Sequence, residues 1–261
     1  MSDSRYTVPA LQRGLEILCL FSRSRRAISA PEMAGELGLP RTTVFRMVQT
    51  LEQMGFLRRE ADGRRYALGP VVLGMGFDCL AALDVVELAR PHLEALRDAT
   101  GYSTHLAVRE GAEIIYVARH PGRATLSGSV VVGTRLPAHA TGMGRLLLCE
   151  VPEAELAGLF HDPLPAHTPQ TPTTLAALKA LLAADRARGH VLSHSFFERG
   201  VSAISAPVRD GTGQICAAIN LTVLDPAVAP ERLGGELLNQ LLAAAAAISR
   251  ALNWRPAQAA E

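Results

Sequence analysis

Ser29-Ala30-Pro31-Glu32-Met33-Ala34-Gly35-Glu36-Leu37-Gly38-Leu39-Pro40-Arg41-Thr42-Thr43-Val44-Phe45-Arg46-Met47-Val48-Gln49 is the stretch whose reading decides the front of this chain. Ser29 with Glu32 three residues on forms a capping box, which satisfies the free amides at a helix start. Pro31 falls in the first turn, where its missing N–H costs little. Met33, Ala34 and Leu37 share one face, and Gly38-Leu39-Pro40 stops the helix in a glycine turn. A second helix follows at once. Val44, Val48 and Leu51 recur at the spacing of a buried stripe, which leaves Arg41, Thr42, Thr43, Phe45, Arg46 and Gln49 on the other faces. The pattern is a helix-turn-helix with a polar, cationic outer surface.

Working outward, Phe56–Arg59 and Arg64–Leu68 are short strand candidates joined by Ala61-Asp62-Gly63, an Asp-Gly hairpin signal. A hairpin after the second helix makes a winged helix-turn-helix. Arg58, Arg59, Arg64 and Arg65 load the wing with positive charge suited to phosphates. Upstream, Leu11, Leu15 and Leu18 predict a first helix from Pro9 to Phe21 that buries this face. Residues 1–70 hold eleven Arg against seven Asp and Glu, a net of +4, while the remainder carries −3. A basic front and a mildly acidic back fit a nucleic-acid-binding domain joined to a domain with another task.

The expected organisation is a DNA-binding domain over residues 1–69, a linker helix over 70–83 and an α+β domain over 84–255. The linker is apolar but weakened by Gly74 and Gly76, so packing against a second copy is its best explanation. A homodimer, or a homotetramer, also suits a helix-turn-helix that reads paired half-sites of double-stranded DNA. Asp84-Val85-Val86-Glu87 reads as a second capping box, opening a helix to about Ala99 that Pro91 kinks or interrupts. Strands are expected at Ser103–Arg109, Ile114–Arg119, Leu126–Val132, Val191–Phe196, Ser202–Val208 and Gln214–Val223. Helices are expected at Thr141–Cys149, Glu153–Phe160, Thr174–Arg188 and Glu231–Leu252. Short turns between neighbouring strands argue for one antiparallel sheet with helices.

Cys19, Cys79, Cys149 and Cys216 stand singly, with no C-x-x-C, so neither a zinc site nor a disulfide framework is indicated. No signal peptide and no stretch that would span a membrane is legible, which points to the cytoplasm. No cofactor is expected.

In the second domain, Arg135-Leu136-Pro137-Ala138-His139-Ala140-Thr141-Gly142-Met143-Gly144-Arg145 sets small residues before an apolar helix. Free amides at a helix start suit an anion, and glycine lets a ligand approach them closely. A small carboxylate would fit there. Together with Pro40-Arg41-Thr42-Thr43-Val44-Phe45-Arg46 and Gly200-Val201-Ser202-Ala203-Ile204-Ser205-Ala206-Pro207-Val208, this stretch resembles the IclR (isocitrate lyase regulator) family of bacterial transcription factors over nearly the whole chain. Ala217-Ala218-Ile219-Asn220-Leu221 and Tyr116-Val117-Ala118-Arg119 resemble the branch that controls protocatechuate and 4-hydroxybenzoate catabolism. The resemblance implies a winged domain, a dimerising linker and a GAF-like domain that binds a small organic acid between its sheet and the Gly142-Met143 loop. It assigns the effector pocket to Gly142, Met143, Ser193, Val201, Ala203, Asn220 and Thr222. His139, Thr141 and Gly144 join them by position, and His105 and His194 are further candidate partners. Some glyoxylate-responsive relatives carry Asp and Cys where this chain has Ser193 and Ala203, so a different preference is implied. On this reading the carboxylate sits at Thr141–Gly144 and a second polar end meets Asn220 and Thr222.

DNA contacts are expected from Arg41, Thr42, Thr43, Phe45, Arg46, Gln49, Arg64 and Arg65. Two alternatives stand beside a ligand-responsive regulator. One is an enzyme using His190, His194, Ser195 and Glu198, although a four-residue separation along a strand places the two histidines too far apart to share a metal. The other is a DNA-binding protein whose second domain only assembles.

Overall fold

The computed structural model describes residues 7–22, 24–81, 83–123, 130–223 and 233–255. The chain divides into two compact units, residues 1–82 and 83–261.

In the first unit, α1 (Pro9–Cys19), α2 (Ala30–Leu37) and α3 (Arg41–Gln53) surround a core of Ile17, Met33, Val44 and Val48. The capping box of α2 forms in both directions, with Glu32 N–H donating to Ser29 Oγ and Ser29 N–H donating to Glu32 Oε2. Gly38 ends the helix at φ 63°, the left-handed region that glycine enters without strain. A three-stranded sheet, β1 (Ile28–Ser29), β2 (Leu57–Arg59) and β3 (Arg65–Leu68), pairs in the order β1-β3-β2 and carries Ile28, Leu57 and Tyr66 into the same core. Strand β1 was not legible, since two residues carry no alternation. The face of α1 also differs from expectation. Its buried residue is Ile17 and Leu18 packs beside it, whereas Leu11 and Leu15 are 62% and 53% exposed. Only the end of α1 meets the other helices, so the apolar stripe runs past the core. Helix α4 (Pro70–Ala81) closes this unit, with Val71, Leu73 and Met75 exposed.

The second unit is an α+β domain on a six-stranded antiparallel sheet of order β6-β5-β4-β9-β8-β7. Its strands are β4 (Ser103–Glu110), β5 (Glu113–His120), β6 (Arg135–Pro137), β7 (Val191–His194), β8 (Ser202–Arg209) and β9 (Ile215–Val223). Helix α5 (Asp84–Thr100) covers one face, where Thr104 Oγ1 donates to the Leu93 carbonyl. The other face carries α6 (Gly142–Leu148), α7 (Glu153–Leu159) and α8 (Leu175–Arg188) over a core that includes Ala107, Met143, Leu146, Leu178 and Ala218. Helix α9 (Leu238–Ala251) packs with α5 and the strands β8 and β9.

Four expectations are corrected here. The Asp84–Glu87 capping box does not form: Leu83 is the N-cap, and both acids lie inside the first turn, where they favour the helix dipole instead. Pro91 does not interrupt α5 but lies inside it, in a helix that buries Ala89 and Leu93 on either side. Of the strand expected at Leu126–Val132, residues 126–129 lie outside the described residues and Val130–Val132 are not strand; β6 takes the place beside β5. Of the closing helix, residues 231–232 lie outside the described residues, and a π turn at Leu233–Leu237 with a non-helical Gly235 precedes α9. No helix among the described residues is long and apolar enough to cross a membrane.

Candidate functional site

Two surfaces carry chemistry, one in each unit. On α3, Arg41, Thr42, Phe45 and Arg46 are exposed, while Val44 and Val48 are buried. Thr43 is half-buried. Gln49 turns toward the unit itself, its amide donating to Glu52 Oε2 at 3.1 Å and to Tyr66 Oη at 3.5 Å, so it braces the hairpin. Phe45, 53% exposed on a cationic face, is an apolar group that suits a thymine methyl in a major groove.

The wing is less positive than its sequence. Arg58 pairs with Glu60, Arg59 with Glu52 and Arg65 with Asp62, at 3.1, 3.0 and 2.8 Å. Asp62 is held down at about 2 by the Arg64 backbone N–H and by Arg65, so it is ionised at neutral pH. Among the described residues, the Arg64 side chain alone of these four has no partner. Arg64→Ala should therefore lower the salt slope of DNA binding by about 0.9, one phosphate contact, and Arg65→Ala by clearly less. Fluorescence titrations over a salt series decide this, and a slope unchanged in Arg64→Ala removes the wing tip from the interface.

The second surface is a cavity of about 1150 Å3, counting its open mouth. Strand register builds its floor. Arg119 pairs with His105, His105 with Asn220, and Asn220 with Ser205, so these four form one row across β5, β4, β9 and β8. Partners in an antiparallel sheet share a face, so all four turn the same way. A second row, Ser103, Thr222, Ala203 and Ser193, runs beside it. Asn220 Oδ1 lies 2.9 Å from His105 Nδ1, and Asn220 Nδ2 donates to Thr222 Oγ1 at 3.4 Å. Burial pushes His105 down to about 4 against the pull of Asn220, so it is a neutral imidazole near pH 7.

Opposite the second row stand Thr141, Gly142 and Met143 at the start of α6. Thr141 caps that helix, its Oγ accepting from Gly144 N–H at 3.2 Å. A Cβ on Gly142 would come within 2.8 Å of Ser205 Oγ and 3.3 Å of Ser193 Oγ, so glycine is what lets helix and sheet close together there.

The remaining wall is aromatic. Tyr116 lies on β5, while Phe196 and Phe197 stand on the loop after β7, which leaves the strand at Ser195 with φ 56°. That loop is fastened from outside, with Thr168 Oγ1 donating to the Ser195 carbonyl and Thr171 Oγ1 to the Phe196 carbonyl, each at 2.5 Å. Behind the cavity, the Arg145 guanidinium lies 4.4 Å from the Phe196 ring centroid, and its Nε is 2.8 Å from Asp185 Oδ2. The pair is fully buried, but neither atom is aligned for a hydrogen bond, so its attraction is chiefly Coulombic. Asp185 also accepts from Arg188 at 2.6 Å.

Of the residues expected at the pocket, Thr141, Gly142, Met143, Ser193, Val201, Ala203, Asn220 and Thr222 line the cavity, as does His105. Two do not. His139 is buried away from it, its Nε2 3.0 Å from the Pro165 carbonyl and its ring against Phe160 and His167, so it props the 163–172 loop. Gly144 packs on backbone, where a Cβ would stand 2.3 Å from the Ala138 carbonyl oxygen. Both have packing tasks. His194 is also elsewhere, exposed and bonded to Ser202 Oγ. Arg119, Phe196 and Phe197 were missed as site residues, and no local signal would have found them.

Residues 10–61 match the IclR helix-turn-helix domain, and residues 77–250 match the family described as bacterial transcriptional regulator IclR C-terminal. The chain belongs to the IclR family. The HTH-type transcriptional regulator XynR of Escherichia coli (strain K12) is 30% identical over 95% of this chain and 98% of that protein. The Pca regulon regulatory protein of Pseudomonas putida is 32% identical over 90% of this chain and 81% of that protein. Among solved structures, an IclR homologue from Microbacterium hydrocarbonoxydans complexed with 4-hydroxybenzoate superposes with a TM-score of 0.81 at 29% identity, covering 93% and 98% of the two chains. This IclR-family chain is thus a DNA-binding transcriptional regulator with a ligand-binding second unit. Its relatives are regulators, which sets the enzyme alternative aside. In keeping with that, His190 and His194 have separate partners, Arg188 O and Ser202 Oγ.

Proposed function

We propose that the cavity is the effector site, that it takes a small aromatic carboxylic acid, and that the protein acts in the cytoplasm as a homodimer or a homotetramer on paired operator half-sites. The observation that carries the ligand class is the pairing of an aromatic wall, Tyr116, Phe196 and Phe197, with a polar sheet floor. A flat ring fits between these surfaces, and polar groups at its edge meet the rows of the sheet. The likeness to a 4-hydroxybenzoate complex and to a Pca regulon regulator points the same way. Self-association is supported by the apolar side chains left exposed in the first unit, Val8 just before α1 and Leu11 and Leu15 on it, with Val71, Leu73 and Met75 on α4. In the DNA complex, α3 enters the major groove with Arg41, Thr42, Phe45 and Arg46 toward the bases and Arg64 toward phosphate.

The test is a thermal-shift and calorimetric screen of 4-hydroxybenzoate, protocatechuate, benzoate and succinate. At a hundredfold excess over Kd, a true effector adds about 2.7 kcal/mol to the stability of the unit that binds it. Aromatic acids should give that shift and be recovered unchanged after long incubation. A response to succinate alone would overturn the aromatic assignment.

A further inference from the structure

Building on the reading of the cavity as an acid-binding site, we infer that Arg119 is the counter-ion of the effector carboxylate, so that the ligand lies with its acid end at β5 and its other end toward Gly142. This reverses the orientation that the sequence alone suggests. Arg119 lines the cavity, its Nε is buried, and among the described residues its side chain makes neither a hydrogen bond nor an ion pair. A buried Nε–H left unpaired is costly, and among the described residues no carboxylate pairs with this guanidinium. A bound carboxylate would satisfy it in a bidentate, charge-assisted pair.

The other lining groups make the assignment selective. Among the described residues that line the cavity, Arg119 is the only Lys or Arg and Glu198 the only acid, and His105 is buried beside Asn220 and neutral. At the opposite end of the row stand Gly142, Met143 and Ser193, which are neutral. A carboxylate placed there would leave Arg119 without a counter-ion, whereas a hydroxyl there loses nothing. Charge therefore decides which end of a hydroxy acid goes where. His105 and Asn220, next in the row, are committed to each other and hold the floor rigid beside the guanidinium.

The test uses the full-length protein and calorimetric titration with 4-hydroxybenzoate and with 4-hydroxybenzamide, which keeps the shape and loses the charge. Arg119→Gln should weaken the acid by roughly 10- to 100-fold and leave the amide within about threefold, with Arg119→Lys between. Because Arg119 has no partner to lose, the thermal midpoint of the unliganded variant should stay that of the parent, which confirms a folded protein. Equal losses for acid and amide, or no loss for either, overturn the assignment. If the unmodified protein binds succinate but no aromatic acid, the aromatic reading fails by itself. Succinate against succinamide then decides Arg119: a loss confined to the charged ligand upholds it, and equal effects overturn it. Binding of no acid at all overturns both.

Discussion

Asp185→Ala should lower the stability of the second unit by about 3–5 kcal/mol, the usual cost of stripping one partner from a buried ion pair. Asp185 is fully buried between Arg145 and Arg188, and Arg145 itself is 2% exposed. Its guanidinium stays charged at neutral pH, although burial draws its pKa below the ordinary value against the pull of Asp185. Without Asp185 that charge has the Phe196 ring as its remaining favourable contact, which is worth far less. Urea denaturation followed through Trp254, the single tryptophan and a member of this unit, measures the effect. Asp185→Leu combined with Arg145→Met should recover most of the loss, since two apolar groups of similar size remove both charges. A loss below about 1 kcal/mol in Asp185→Ala would show that the misaligned pair contributes little. The same substitution frees Phe196 from behind, so weaker binding of aromatic acids should accompany it.

Arg46→Ala should weaken operator binding by about 1–3 kcal/mol and relax the preference at one base-pair position. Arg46 is exposed on α3 one residue from the exposed Phe45, and helical periodicity places it opposite the buried Val44 and Val48. Among the described residues Arg46 has no ion pair, unlike Arg58, Arg59 and Arg65, so its guanidinium is free to make a bidentate contact with a guanine edge. Binding measured against operators mutated one position at a time separates the two roles. A uniform loss across all sequences would assign Arg46 to phosphate and leave base reading to Arg41, Thr42 and Phe45.

The amino-terminal unit was legible because its signals are local. Ser29 and Glu32 are three residues apart, Gly38 needs only its own φ, and the Asp62-Gly63 turn sets the hairpin by itself. The buried side of α3 follows from helical periodicity, which Val44 and Val48 fix. Where the sequence failed, the deciding contact was distant. Leu11 and Leu15 look like core until α2 and α3 are seen to meet only the end of α1. The wing looks like four free cations until Glu52, on α3, reaches Arg59 on β2.

The cavity divides the same way. Family likeness and strand alternation named Asn220, Thr222, Ala203 and Ser193, and all four line it. Arg119 and Phe196 became visible only in three dimensions. His105 and Asn220 are 115 residues apart in the chain, yet they bond across adjacent strands, and that register sets Arg119 in the same row. Phe196 gains its role from Thr171 on a loop 25 residues away and from Arg145 on α6. His139 and Gly144 were drawn into the site by their neighbours in sequence, but one props a loop and the other admits a backbone. The sequence by itself determined most of the helices and the winged helix-turn-helix, because capping, turn conformation and periodicity act within a few residues. The tertiary structure decided which groups line the cavity and which charge is left unpaired, because strand register and burial depend on residues a hundred positions apart.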